Sequence, residues 1–249
     1  MSVLDKVSNQ KLMLVALLLL VVYPVAIGAA RLDIWHFRTS FLLFIVSALL
    51  GFVVLVMAIF KMSKLGSANS EAEPARYLLI AAASTLIPLM VLGSNIYKAQ
   101  QYPFIHDITT DTVTPPQFEA AITDRLETDH AVAYEGAALA DIQHKAYPSI
   151  KPLITNTDIS RVLNAVQAQV AQSGWLLLNS QTEQMPYVLE AVTSSALFGF
   201  KDDMVIRIQA HDQMVQVDMR SMSRQGKSDL GMNAKRIQEF LSALQGRLQ

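Results

Sequence analysis

A chain of 249 residues has room for one large or two small domains. Its formal charge of −1 supplies no basic field, so no nucleic-acid partner is expected; the absence of cysteine excludes a disulfide framework and thiol or Cys-metal chemistry. Hydrophobic residues make up 52% of the chain, and nearly all of the excess lies before Asn95. A membrane anchor (1–98) followed by a soluble domain (99–249) is the simplest organisation.

Three apolar runs, 12–30, 41–60 and 77–93, are each close to the about 20 residues needed to cross a bilayer. They predict helices over about 12–30, 41–60 and 77–95. None contains an ionised side chain, so no intramembrane proton or ion path is indicated. Pro24 and Pro88 are expected to kink their helices without breaking them. Small residues (Ser47, Ala48 and Gly51 in the second run, Ala81 to Ser84 in the third) read as close helix packing. The first run, with Lys6 and Lys11 before it and Gly28-Ala29-Ala30 at its end, has some features of a signal peptide. Its apolar core is too long for one, so a retained helix is expected. Lys6, Lys11, Lys61, Lys64 and Arg76 fall on one side of the membrane, and Arg31, Arg38 and Lys98 on the other. The positive-inside rule then puts the N-terminus in the cytoplasm of a bacterial inner membrane and the domain in the periplasm. Lack of cysteine suits such an oxidising compartment.

The soluble half opens with a polar, proline-punctuated lead-in from Gln100 to Pro116. Thr114, Pro115 and Gln117 have the pattern of a helix start, with Phe118, Ile122 and Leu126 along one face. The stretch 131–152 has no clean period and reads as loop. A second helix is expected over 156–173, with Ile159, Val162, Leu163, Val166 and Val170 at helical spacing and Gly174 as its stop. Four strands follow, at 175–179, 187–193, 203–209 and 214–220, with Asp202-Asp203 as a turn. A last helix presents Ile237, Phe240, Leu241, Leu244 and Leu248. The fold class is α+β: three transmembrane helices, then a four-stranded antiparallel sheet covered by helices.

Alternation in the last two strands places Met204, Ile206, Ile208, Val215, Val217 and Met219 toward the helices. Arg207, Gln216, Asp218 and Arg220 then share the outer face, with Arg207 opposite Asp218 or one pair away. The plain reading is a cross-strand ion ladder on a solvated face. The alternative is an anion or partner site, helped by Arg224, Lys227 and Arg236, since arginine's fork suits carboxylate or phosphate. His106, Asp107 and Asp111 form the other polar group. They match no metal-ligand spacing, and hydrogen bonds that tie the lead-in to the domain are the plainer role. His130, His144 and His211 stand alone in polar loops and read as solvated. Asp229 reads as a cap for the last helix. No nucleophile-elbow, zincin or P-loop motif occurs, and no cofactor or metal is indicated.

Several separated motifs resemble those of a bacterial domain-of-unknown-function family that also occurs in plastids. They are Ile105-His-Asp-Ile-Thr-Thr-Asp111 with Pro115-Pro116-x-Phe118, then Phe198-x-Phe-x-Asp-Asp203 with Val205-Ile-Arg207. After these come Val217-Asp-x-Arg-Ser221, Ser223-Arg224-x-Gly226 and Ser228-Asp-x-Gly-x-Asn233-x-x-Arg236-Ile237. The likeness covers about 102–244, with Lys227 where the pattern expects arginine. It implies an exported or membrane-anchored location and the fold, and brings no activity. The motif positions it implies are His106, Asp107, Asp111, Asp203, Arg207, Asp218, Arg220, Ser221, Arg224, Ser228, Asp229, Asn233 and Arg236.

A ligand or partner site is therefore expected where the lead-in meets the outer strip: His106, Asp107, Asp111, Arg207, Asp218, Arg220, Arg224 and Arg236. The first functional expectation is a non-enzymatic membrane protein whose periplasmic domain serves a protein partner or an envelope complex. The alternatives are a binding protein for a lipid, quinone or other small amphiphile, and a periplasmic hydrolase centred on His106 and Asp107.

Overall fold

A computed structural model describes residues 7–32, 34–65, 72–196 and 198–249. Lys6, counted above among the cytoplasmic charges, lies outside the described residues. The chain divides into two compact units: the first holds the residues up to Lys98 together with Phe198 and Gly199, and the second holds the rest from Ala99 on.

The first unit holds helices α1 (Asn9–Arg31), α2 (Phe37–Leu65) and α3 (Ala72–Ala99). Each is long and apolar enough to cross a membrane, over Asn9–Arg31, Phe37–Lys64 and Ala75–Ala99. The Ser8 side chain accepts the Lys11 N–H and starts α1. Both helices run on through Pro24 and Pro88. Some of the small residues lie at close approaches: a Cβ built on Gly51 would meet Thr85 Cγ2 at 3.4 Å, and Ala48 and Ala81 are fully buried, whereas Ala83 is exposed. Leu12, Ala16, Val54, Ala58, Leu78 and Ala81 make one packed cluster drawn from all three helices. Ser40 donates to Ala26 O, and Thr85 to Ala81 O and Ala82 O, so these buried hydroxyls are satisfied without water.

The second unit begins with β1 (Asp107–Thr109), α4 (Ala120–Thr123), α5 (Ala137–Ala146) and β2 (Leu153–Thr155). It continues with α6 (Ile159–Gln172), β3 (Leu176–Gln181), β4 (Tyr187–Ser194), β5 (Lys201–His211), β6 (Met214–Ser223) and α7 (Met232–Leu248). The sheet is antiparallel and has six strands, not the expected four. Its order is β1-β6-β5-β4-β3, with β2 pairing β6 beside β1. The two additional strands have three residues each, too few for alternation to be read.

The inner face follows the sequence pattern. Met204, Ile206, Ile208, Val215, Val217 and Met219 pack against Val162, Val166 and Val170 of α6 and Ile237, Phe240 and Leu244 of α7. Asp158 caps α6 through the Ser160 and Arg161 N–H groups, two residues later than the expected start. Gly174 supplies the positive φ (68°) just past the helix end. Asp229 accepts the Gly231 and Asn233 N–H groups at the start of α7, the capping role expected of it. Gly231, φ 79°, is also pressed by Tyr102: an added Cβ would come within 2.5 Å of the ring.

Three expectations fail before β3 or at the head of β5. Only Ala120–Thr123 is helical in the stretch read as the 114–126 helix; Phe118 is buried while Ile122 and Leu126 are exposed, at 51% and 64%. The Glu119, Ala120 and Ala121 N–H groups donate to the Glu190 carboxylate of β4. Gln117, expected in a capping box, turns back to Pro115 O. The stretch read as loop contains α5, whose buried side is only Leu139, Ala140 and Gln143, too narrow a stripe to show a period. Asp202 and Asp203 lie within β5 rather than in a turn before it.

Truncating the real helix face is expected to be expensive and truncating the abandoned one is not. Ile237→Ala should cost about 2–5 kcal/mol through a cavity, and Ile122→Ala within about 0.5 kcal/mol. Urea unfolding of the full chain in detergent, followed by the fluorescence of Trp175 stacked on Phe240, measures both.

Candidate functional site

The outer face of the sheet is formed by alternate residues of three strands in register. Asp218, Arg220 and Met222 of β6 oppose Arg207, Val205 and Asp203 of β5. These in turn oppose Val188, Glu190 and Val192 of β4. Arg207 is directly across from Asp218. The face is not solvated as expected. Asp203, Asp218 and Arg220 have no exposed surface, Glu190 retains 1% and Arg224 2%. A strap running from Thr110 to Tyr134 lies over it. Phe118 and Ala121 pack on Val205 and Met222, with Val132, Leu178 and Val188 at the rim.

Arg220 is held from five points of the chain. Its Nε and Nη2 donate to the two oxygens of Asp107 at 2.9 and 2.7 Å, a bidentate pair. Nη1 donates to Pro116 O at 3.2 Å and Nη2 to Val132 O at 2.8 Å. The guanidinium lies 4.8 Å from the Phe118 ring centre and 5.5 Å from that of Tyr134. The Tyr134 hydroxyl is buried without a hydrogen-bond partner; burial, with Asp107 nearby, pushes its pKa up to about 12.

Two further knots flank this one. Arg207 donates to Thr114 O and bridges Asp111 and Asp218, each at 2.9 Å. Burial raises the Asp111 pKa, but the Thr114 N–H, Arg207 and the Val113 N–H outweigh it and hold the carboxyl below its ordinary value. At the other end, Asp203 receives Arg224 on both oxygens and Arg125 on Oδ2. Arg224 also reaches Asp124, through the carbonyl and the carboxylate. Sequence reading missed Arg125, Asp124, Glu190 and Tyr134. Only Glu190 left a signal, as an acid between apolar neighbours in a strand.

Seven of the eight expected site residues thus gather on the outer face or its rim. Arg236 does not: it lies on the helical side, donating to Ser221, Asn233 and Asp202. His106 sits at the rim, its ring stacked on that of His130 at 3.9 Å and 24°. His130 is not a lone solvated residue. Its N–H donates to Arg224 O and its Nε2 to Gly226 O. His144 pairs with Thr112. Burial lowers the His106 pKa, His130 and Arg125 lower it too, and Asp107 and Glu135 oppose them. With both Asp107 oxygens on Arg220, that carboxylate is not free to orient His106 as a base. Among the described residues no three His, Asp or Glu side chains converge as metal ligands.

Arg220→Ala strands Asp107 in the interior and is expected to cost about 3–5 kcal/mol, whereas Asp107→Leu with Arg220→Met should cost less than the sum of the two single changes. A double-mutant cycle in urea tests this. A second expectation concerns acid. The unfolded chain protonates His106 near its ordinary value of about 6.5, and the folded chain only at lower pH. The contribution is whole above that value, falls as pH drops through it toward the folded pKa, and is constant below. His106→Gln should therefore flatten the fall in unfolding midpoint between about pH 7.5 and 5.5.

A family model described as a protein of unknown function (DUF1499) matches residues 107–244, from the carboxylate that binds Arg220 to the last fully buried leucine of α7. No curated protein matches the chain. With more than half of its length inside that match, the chain belongs to the DUF1499 family.

Proposed function

We propose that this protein is a non-enzymatic accessory protein, anchored by its three helices in a bacterial inner membrane, whose α+β domain stands in the periplasm and serves a protein partner or envelope complex. One observation carries the reading: the charged motif residues of the outer face are committed to one another and to backbone carbonyls, with the Arg207 Nε–H the one such group left without a hydrogen-bond partner among the described residues. Asp107, Asp111, Asp203 and Asp218 all receive arginine. The motif therefore serves to fasten the strap onto the sheet. What it offers a partner is the outer surface of that strap and its neighbours, not the arginines beneath.

The same geometry argues against the rivals. A hydrolase centred on His106 and Asp107 needs a carboxylate free to act, and this one is bound on both oxygens. An amphiphile carrier needs space between sheet and helices, and that space is filled by the side chains of one continuous core. The grooves of about 510 and 260 Å³ lie on the helical surface, with polar and charged residues on their walls. The distribution of Lys and Arg around the helices supports the orientation.

Two measurements test the reading. Alkaline phosphatase fused after Gln249 should be active and a cytosol-only fluorescent reporter at the same place dark; the reverse result overturns the location. Purification of the full chain from native membranes in mild detergent should bring down a stoichiometric protein partner. An enriched lipid or quinone with no protein would overturn the accessory reading in favour of the carrier.

A further inference from the structure

The two edges of the sheet are treated differently. At one edge β1 and β2 are three residues long, and the Gln143 side chain stands in for a neighbouring strand. Its Oε1 accepts the Thr109 N–H at 2.9 Å and its Nε2 donates to Thr109 O at 2.7 Å. At the other edge, among the described residues, β3 pairs only with β4, and none of its six residues is buried. An open edge is usually blunted by charge or proline. The run Leu176-Leu-Leu-Asn-Ser-Gln181 has neither. Its one irregularity is the register shift between Leu177 and Asn179, where Leu178 turns onto the outer-face cluster. Leu176 and Leu177 remain exposed at 66% and 46%, on opposite faces of the strand. The apolar surface continues onto α4, packed beside β3, through Ile122.

We infer that β3 is a homotypic interface, at which the edges of two copies of this chain pair antiparallel and join their sheets. The occupant is a second copy because the edge is its own complement. It carries no charge for an oppositely charged partner to select, and two identical uncharged edges meet without repulsion. Antiparallel pairing about a two-fold axis beside Leu177 sets each Leu177 across from its copy, brings together the outward N–H and C=O groups of both strands, apart from the Ser180 N–H that Asn179 Oδ1 already accepts, and covers Leu176 and Leu177. One strand and a few apolar side chains fall short of the roughly 1,600 Å² of a standard interface, so the association is weak and belongs to copies held together in a membrane.

The chain has no native cysteine, so single-cysteine variants of the full protein report the contact without background. Leu177→Cys in native membranes, treated with a mild oxidant, is expected to give a disulfide-linked dimer. Lys151→Cys, exposed in the segment before β2, is the collision control and should give none. Adding Leu176→Lys to the Leu177→Cys chain should abolish the dimer while leaving the urea midpoint unchanged, since that side chain is mostly exposed. Equal crosslinking at positions 177 and 151 would overturn the inference. So would a dimer that survives Leu176→Lys.

Discussion

The second unit depends on one buried guanidinium. Arg220 has no exposed surface, so each of its N–H groups needs a partner inside the protein. Those partners are Asp107, Pro116 and Val132, with the rings of Phe118 and Tyr134 on its faces. All five come from one stretch, 107–134, that has only β1 and a four-residue helix of its own. A segment with so little internal hydrogen bonding has no reason to hold a fixed path alone. The arginine dictates that path, because any other course leaves a buried charge without its carboxylate.

This makes the two faces of the sheet physically unlike. On the inner face α6 and α7 are held by apolar burial, which is tolerant of detail and favourable in proportion to area. On the outer face the strap is held by charge pairs that must be desolvated to form, so their net gain is small and their geometric demand is large. Arg207 with Asp111 and Asp218, Arg224 with Asp203, and Glu190 at the start of α4 repeat the device along the face. The apolar patch of Phe118, Ala121, Val205 and Met222 lies among them and excludes water from the pairs, strengthening each. The ion network chooses where the strap lies, and the apolar patch keeps it there.

The inner face was legible because periodicity is a local property. Val162, Val166 and Val170 repeat at four residues, and Met204, Ile206 and Ile208 at two, and each set lies where its period puts it. The placement of Arg207 opposite Asp218 followed from the same alternation. Burial of the outer face was not legible, because the covering strap has no period of its own. Thr114, Pro115 and Gln117 carry a helix-start pattern, but Asp111 takes the Thr114 N–H that a capping box would have used, and Glu190, some 70 residues on, takes the N–H groups of Glu119, Ala120 and Ala121. β1, β2 and α5 were missed for a related reason: each is defined by a distant neighbour, such as Gln143 on Thr109, rather than by its own composition.

That difference also explains why a structural device resembles a functional site in sequence. Binding sites and buried ion networks both draw charged residues from separated stretches and bring them to one place. Sequence alone shows the gathering and not the cover. What separates the two is whether the charges still have free valence once gathered. Here the carboxylates meet arginines, the arginines meet carboxylates and carbonyls, and a strap seals the face. For the partner proposed above, the readable surface is that of the strap, where Val113 and Leu126 are exposed, while Leu176 and Leu177 with Ile122 beside them belong to the open edge; Phe104 and Ile154 are exposed elsewhere in the domain. Their pattern in the sequence is that of ordinary core residues, and only their exposure marks them as surface.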